Sequence, residues 1–291
     1  MIFDRYIAVD WSASSLPKVG KDSIWICELS AEGRSRSMNP STRGMAEVAV
    51  RDLLLRAADR SQRVLVSFDF PYAYPAGFAA ALGLNGQPWN AVWDFLERAI
   101  RDDPITNRSN RFEVASAINA RLTHHAFWGR PARQHFEHLS TRPDVARYRI
   151  AGEEPGLPEW RQVELLLRSR RSFPQSAWKL MGAGSVGSQA LTGIPVVSRL
   201  RKDPRLKAVS KVWPFEVMTP EPPARRAAII HAEIWPSLLP LVRVDGQVRD
   251  ETQVTSLAHE LRTRDQEDRL VELFAAAGPR SEEEGWILGV A

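Results

Sequence analysis

Two short apolar runs that each end in an aspartate constrain this chain most. The first covers residues 6–9 and ends at Asp10, and the second covers residues 63–68 and ends at Asp69, just before Pro71. Runs of β-forming residues bounded by turn formers are typical of buried strands. A carboxylate at the end of such a strand is costly unless it binds something. If the two strands are neighbours, they bring Asp10 and Asp69 together.

The segment between these runs predicts how the sheet begins. Strand-like runs at 22–29 and 34–39 precede an amphipathic helix over 44–58. Short turns make successive strands antiparallel, whereas a strand that follows a helix can pair in parallel with an earlier strand through a right-handed crossover. The predicted order is therefore β-β-β-α-β, the opening of a ribonuclease-H-like mixed sheet in an α/β fold.

A large region with a different pattern follows this opening. Helical patterns separated by Gly and Pro fill much of 76–204, and strand-like runs return at 209–216 and 227–236. A chain of this length can form one elaborated domain with a substantial core. We predict a single ribonuclease-H-like domain over 1–291, with 76–204 as a helical or irregular insert or cap and 205–291 completing the core.

Two further acids extend the set formed by Asp10 and Asp69. Glu233 lies late in an apolar run, and Asp250 opens a late amphipathic helix, where the helix dipole favours an acid. Clustered carboxylates repel one another and persist mainly where a hard cation offsets the repulsion. All four acids are therefore candidate catalytic residues and ligands of Mg²⁺ or Mn²⁺. The alternative is four unrelated acids, three at strand ends and one capping a helix.

The order of these motifs resembles the DUF429 family, a group of predicted ribonuclease-H-like nucleases. The resemblance implies that Asp10, on the central strand, is the principal metal carboxylate, with Asp69, Glu233 and Asp250 around it. In that family the late helix carries two acids three residues apart, whereas Gln253 stands at the second position here and replaces a ligand by a neutral amide. The resemblance covers most of the chain as short islands: Asp10, Asp69-Phe70-Pro71, Arg161-Gln162-Val163-Glu164, Glu233-Ile234-Trp235-Pro236 and the Asp250 helix.

Basic and hydroxyl side chains are candidates for substrate binding. Arg161 and Glu164 lie one helical turn apart, so they either form a surface pair or leave Arg161 to bind a substrate phosphate. Arg170 and Arg171 either contact phosphate or belong to a solvated face. Ser12 is a candidate donor to a phosphate or a metal-bound water.

A Gly/Ser-rich segment over 175–195 is predicted to be a loop. Within it, residues 182–187 match the pattern G-x-G-x-x-G. No convincing strand precedes the pattern, so its context does not fit a dinucleotide-binding fold. Two interpretations stay open: a loop that closes over the site and offers backbone amides to a phosphate, or an ordinary surface loop.

Composition narrows the class of protein. The net charge of +4 tolerates a phosphate-bearing partner without requiring one. Cys27 is the single cysteine, which excludes an internal disulfide framework and a cysteine-based zinc site, and its strand-like surroundings predict a buried thiol. No signal peptide is recognisable and no apolar run reaches the ~20 residues of a membrane span. We expect a cytoplasmic protein without a membrane partner.

The sequence thus predicts a nuclease-like, Mg²⁺- or Mn²⁺-dependent hydrolase of phosphodiesters or related phosphoryl groups. Its partner is expected to be a phosphate-bearing substrate, with nucleic acid as one option. One alternative is a non-catalytic nucleotide- or nucleic-acid-binding accessory protein on the same fold, which Gln253 favours. Another is a small-molecule phosphotransferase on the related actin-like fold, which a second β-β-β-α-β unit would favour.

Overall fold

A computed structural model describes residues 1–143, 156–220, 227–238 and 246–291 of the chain. The described residues contain one six-stranded mixed sheet. Its strands are β1 (Arg5–Asp10), β2 (Trp25–Ser30), β3 (Ser35–Met38), β4 (Arg63–Phe68), β5 (Ser210–Val212) and β6 (Ala228–Glu233). They lie in the order β3-β2-β1-β4-β6-β5. The strands β3, β2 and β1 are antiparallel neighbours, whereas β1, β4, β6 and β5 run parallel.

Helices connect and cover these strands. They are α1 (Arg43–Asp59), α2 (Phe78–Ala81), α3 (Pro88–Ala99), α4 (Arg111–Asn119), α5 (Gln162–Ser169), α6 (Val186–Lys202), α7 (Arg249–Gln266), α8 (Leu270–Ala275) and α9 (Ser281–Glu284), with a 3₁₀ turn at Pro236–Leu238. None of the helices in the described ranges combines the length and apolarity needed to cross a membrane.

The predicted β-β-β-α-β opening is confirmed by the order β1-β2-β3-α1-β4 and by its antiparallel and parallel pairings. In the parallel pair, Val9 of β1 lies opposite Phe68 of β4. The chain continues this register by one residue, since the amide of Asp69 donates to the carbonyl of Val9 at 3.2 Å. The predicted neighbourhood of Asp10 and Asp69 follows directly from this pairing.

Different helices cover the two faces of the sheet. The first core contains Val9 and Phe68 with side chains of α1, α3 and α6, and the second contains Ala8 and Leu65 with side chains of α5, α7 and α8. Adjacent strand residues enter opposite cores because side chains alternate along a strand. Cys27 of β2 is fully buried in the second core, as predicted, and burial raises the pKa of its thiol.

The predicted loop over 175–195 is wrong in its second half, because α6 begins at Val186. The glycines that suggest a loop serve close packing instead. A Cβ atom on Gly193 would lie 2.3 Å from the ring of Phe70, which follows β4. The helix therefore approaches the sheet where a larger residue would clash. The boundaries of the predicted insert stay a prediction, and its residues 144–155 lie outside the described ranges.

Candidate functional site

Asp10 and Asp69 stand side by side where β1 and β4 end. The residues flanking each aspartate pack into the first core, so alternation directs both carboxyl groups toward the face covered by α7. The amide of Trp11 donates to Oδ1 of Asp69 at 2.7 Å, and the two carboxyl groups lie close enough that each shifts the pKa of the other.

The electrostatics of this pair disfavour two negative charges. Burial raises the pKa of Asp10 well above its usual range, and the neighbouring charges of Asp69 and Asp250 raise it further. Burial also raises the pKa of Asp69 to about 6, although the amide of Trp11 and the side chain of Asp10 act in the opposite direction. At neutral pH the pair must therefore retain a proton or be compensated by a cation.

A cavity of about 820 Å³ opens beside Asp10. Asp250, in the first turn of α7, lies in its wall and accepts a hydrogen bond from the amide of Asp22 at 2.5 Å. This volume lies in the usual range for small-molecule sites. The cavity is lined by Asp10, Trp11, Ser12, Ala13, Ser14, Lys21, Asp22, Ser23, Gly182, Gly184, Ser185, Gln189, Val248, Arg249, Asp250 and Gln253.

The same cavity has groups that favour an anion. Gly182, Gly184 and Ser185 belong to its wall and lead into α6, a helix of 17 residues. Within the described ranges, no side chain caps the first turn of α6, although the amides of Gly187 and Ser188 donate to the carbonyls of Lys179 and Ser185 at 2.9 and 3.0 Å. The dipole of the helix attracts negative charge at this end, and the cations Lys21 and Arg249 line the cavity as well. Of the two interpretations of residues 182–187, the loop that offers backbone amides to a phosphate agrees better with their position in the cavity wall.

Glu233 does not join the aspartates, although the sequence groups it with them. It lies opposite Phe68 in the parallel pair β4–β6. The residue level with Asp69 is therefore the one after Glu233. Its neighbours Ala232 and Ile234 pack into the second core, and alternation therefore directs Glu233 away from α7. This offset of one residue reverses the face to which a side chain points. Asp10, Asp69 and Asp250 are brought together, and Glu233 is not.

Arg161 binds Glu233 instead of facing the cavity. Its Nη1 and Nη2 atoms donate to the two carboxylate oxygens of Glu233 at 2.7 and 2.6 Å, and its Nε donates to Glu164 at 2.9 Å. The amide of Tyr72 donates to Glu233 at 2.9 Å. Arg161 and Glu164 are each 1% exposed. The two residues therefore form the predicted pair, but the pair is buried and not on the surface. Neither residue lines the cavity.

The remaining candidates for substrate binding divide between the cavity and the surface. Ser12 and Gln253 line the cavity. Arg170 and Arg171 follow the end of α5, are exposed and do not line it, and Arg170 donates to the carbonyl of Ala291. The solvated-face interpretation of these two arginines therefore fits their position better than phosphate contact does.

The sequence interpretation missed three charged residues that line the cavity, namely Lys21, Asp22 and Arg249. They belong to the segment before β2 and to the start of α7. No local pattern marks them, because their place in the cavity depends on the contact between these distant segments. The hydrogen bond from Asp22 to Asp250 makes that contact.

The donor set fits a partly hydrated hard cation. Among the described residues, no three His, Cys, Asp or Glu side chains are arranged as a complete metal-binding group. Mg²⁺ commonly uses one or two carboxylates and completes its octahedron with water and substrate phosphate. Asp10 and Asp69 supply two neighbouring carboxylates, and a cation held by them would offset the negative charge that raises the pKa of Asp10.

No protein-family model matches the sequence, and no curated protein or solved structure matches it. The resemblance to the DUF429 family and the ribonuclease-H-like interpretation of the fold therefore stay predictions. What the molecule can do has to be argued from its cavity.

Replacing Asp69 with asparagine is expected to stabilise the metal-free protein near neutral pH. The folded-state pKa of Asp69 is about 6, above the value of ~3.9 for an unfolded aspartate. Between these two pH values the folded chain therefore binds more protons than the unfolded chain. The free energy of unfolding consequently falls as the pH rises through about 6. Asparagine stays neutral at every pH. We therefore expect the free energy of unfolding of Asp69→Asn to exceed that of the wild type by roughly 1–3 kcal/mol at pH 8 and to differ little at pH 4.

Urea unfolding in the presence of a chelator at pH 4, 6 and 8 measures this difference. Asp52→Asn, on the exposed face of α1, is the matched control and should follow the wild type at every pH. Parallel pH profiles for Asp69→Asn and the wild type would contradict the electrostatic account of the pair.

Proposed function

We propose that this protein is a divalent-metal-dependent hydrolase of phosphodiesters or related phosphoryl groups, built on a ribonuclease-H-like sheet. The β-β-β-α-β opening supports that fold, with β1 between β2 and β4 and Asp10 at its end. The observation that carries the proposal is the pair of neighbouring carboxyl groups of Asp10 and Asp69 at the ends of the paired strands β1 and β4, with Asp10 and Asp250 in the wall of one cavity. Such a pair is unfavourable at neutral pH unless a cation or a proton compensates it.

Mg²⁺ or Mn²⁺ is the cofactor that this donor set favours, because hard cations prefer carboxylate oxygens. Bound there, the ion supplies Lewis-acid polarisation of a phosphoryl group and makes water more acidic. Asp10 and Asp69 hold the ion. Asp250 adds a third negative charge that raises the affinity for a cation.

The substrate phosphate is assigned to the glycine-containing wall. Gly182 and Gly184 permit close approach of backbone amides, and the dipole at the start of α6 favours an anion. Lys21 and Arg249 add positive charge, and Ser12 offers a hydroxyl group. A phosphoryl group held here would lie in the same cavity as Asp10, the residue that would hold the ion.

A non-catalytic binding protein is the second candidate, and Gln253 favours it. This amide lines the cavity three residues after Asp250, on the same helix. A neutral amide there leaves fewer negative charges to hold two ions. The phosphotransferase alternative lacks the support of a second β-β-β-α-β unit, since the described strands form one sheet that contains one such unit.

Hydrolysis of bis(p-nitrophenyl) phosphate by the wild-type protein, alongside Mn²⁺ titration calorimetry, tests the proposal. We expect Mn²⁺ binding and a release of p-nitrophenolate that requires Mn²⁺ or Mg²⁺ and stops on addition of a chelator. A panel of nucleotides and single- and double-stranded nucleic acids then defines the substrate. Ion binding without hydrolysis of any phosphodiester would support the binding protein, and the absence of both would contradict the proposal.

A further inference from the structure

Arg111 is a buried cation with unusual partners. It is the first residue of α4 and is 6% exposed. Its Nε donates to Oγ of Ser188 at 3.0 Å, its Nη1 to Oγ of Ser109 at 2.9 Å and its Nη2 to Oγ of Ser15 at 3.0 Å. Within the described part of the chain, no carboxylate forms an ion pair with it. Buried guanidinium groups are usually paired with a carboxylate, so three neutral hydroxyl partners require an explanation.

Two partners of Arg111 adjoin two different walls of the cavity. We call residues 12–14 the serine wall and residues 182–185 the glycine wall, because they contribute to the lining. Ser15 directly follows the serine wall, and Ser188 lies in the first turn of α6, which begins directly after the glycine wall. The hydroxyl group of Ser188 also donates to the carbonyl of Leu180 at 2.6 Å, just before that wall. One planar guanidinium group therefore connects both walls.

Arg43 anchors the serine wall in a different way. It donates to the carbonyls of Ser12 and Ser14 at 3.2 and 2.6 Å and forms an ion pair with Asp102. These contacts fix the serine wall to α1, whereas the contacts of Arg111 reach across to α6. Burial, and to a lesser extent the positive charge of Arg43, lower the pKa of Arg111 to about 10, although the negative charges of Asp102 and Glu113 act in the opposite direction. Arg111 is therefore still charged at neutral pH.

We propose that Arg111 is a positioning residue that joins the serine wall to the glycine wall and thereby sets the affinity of the cavity for a phosphate-bearing ligand. This inference rests on the proposed function, in which both walls contact the substrate phosphate. The aspartates of the cation site belong to β1 and the end of β4, which Arg111 does not contact. Phosphate affinity and cation affinity should therefore respond differently to its replacement.

Three hydroxyl partners of one side chain require the fork of a guanidinium group, which donates from Nε, Nη1 and Nη2 together. A glutamine at position 111 is uncharged and too short to span them, and a lysine keeps the charge but presents a single point donor. If the role is to join the walls, lysine will not restore the wild-type behaviour. If only the charge matters, lysine will restore it.

Calorimetric titration with Mn²⁺, and separately with inorganic phosphate in the presence of Mg²⁺, tests the inference. We expect Arg111→Gln to raise the Kd for phosphate about tenfold and to leave the Kd for Mn²⁺ unchanged, with no rescue in Arg111→Lys. Arg108→Gln, an exposed residue in the preceding loop, is the matched control. Unchanged phosphate affinity in Arg111→Gln, or full rescue in Arg111→Lys, would overturn the inference.

Ser15→Ala keeps the inference testable if the Arg111 variants do not fold. Ser15 is exposed apart from its hydroxyl contact, so its replacement should not affect folding. We expect it to weaken phosphate binding and, where Arg111→Gln folds, to add nothing to that variant, because both changes remove the same link. Additive effects, or wild-type phosphate affinity in Ser15→Ala, would contradict the link.

Amide hydrogen exchange separates this inference from the proposed function. Residues 11–16 and 182–190 should exchange faster in Arg111→Gln and Ser15→Ala, while β1, β4 and α7 keep their protection. If the wild type binds no Mn²⁺, the proposed function fails, but faster exchange confined to the two walls would still show that Arg111 joins them. Unchanged exchange in both walls would overturn the joining role itself.

Discussion

Asp10→Asn is expected to abolish Mn²⁺ binding and phosphodiester hydrolysis while the protein stays folded. Asparagine has the shape of aspartate but lacks the charge, so one of the two carboxylates that we propose hold the cation is lost. Changes to groups that only support a metal ligand cost about 10- to 100-fold in affinity. Loss of a ligand should therefore raise the Kd for Mn²⁺ by more than about 100-fold. Titration calorimetry and an assay with bis(p-nitrophenyl) phosphate measure both effects.

Stability makes this experiment easy to interpret. Burial and the neighbouring acids raise the pKa of Asp10, so its charge destabilises the metal-free fold, and asparagine should be at least as stable as aspartate at neutral pH. Loss of binding in Asp10→Asn would then not result from unfolding. Wild-type Mn²⁺ affinity in this variant would contradict the proposed cation site.

The variant Glu233→Gln distinguishes the site that the sequence predicts from the site that the structure indicates. The sequence alone predicts that Glu233 helps Asp10 to bind the ion, so both variants should lose Mn²⁺ affinity. In the structure Glu233 binds Arg161 and points away from α7. We therefore expect Glu233→Gln to retain Mn²⁺ binding under conditions in which it is folded. Loss of Mn²⁺ binding in folded Asp10→Asn and in folded Glu233→Gln would support the metal site of four acids that the sequence predicts.

The parts of the site that the sequence predicts correctly are those fixed by local patterns. Asp10 and Asp69 each end an apolar run, and one helix between their strands is enough to place them in a parallel pair. Asp250 opens a helix, as its sequence pattern indicates. These features depend on periodicity and chain order, which a single sequence shows directly.

The parts that the sequence misses depend on register and on distant contacts. Nothing in residues 227–236 determines whether Glu233 lies opposite Phe68 or opposite Asp69, yet that choice decides which face it occupies. Gly193 of α6 suggests a loop because its packing partner, Phe70, is remote in sequence. Arg111 and its serine partners are equally scattered along the chain. Their interactions become visible only when the fold is known.

Arg161→Met is expected to lower the free energy of unfolding by about 3–5 kcal/mol, the cost of removing one member of a buried ionic group. Arg161 neutralises Glu164 and Glu233, which are 1% and 2% exposed. Methionine fills a similar space but leaves two carboxylates without a cation. It also removes the hydrogen bond from Nη1 to the carbonyl of Glu284, 3.2 Å long. Urea unfolding at neutral pH measures the loss.

Arg170→Met is the matched control, since this exposed arginine follows the same helix and its replacement should change stability by less than about 0.5 kcal/mol. A triple variant with Arg161→Met, Glu164→Gln and Glu233→Gln should recover part of the loss, because no unpaired buried charge is left. Equal effects of Arg161→Met and Arg170→Met would contradict the structural role. Loss of phosphate binding by folded Arg161→Met would instead return Arg161 to the substrate site that its sequence motif suggests.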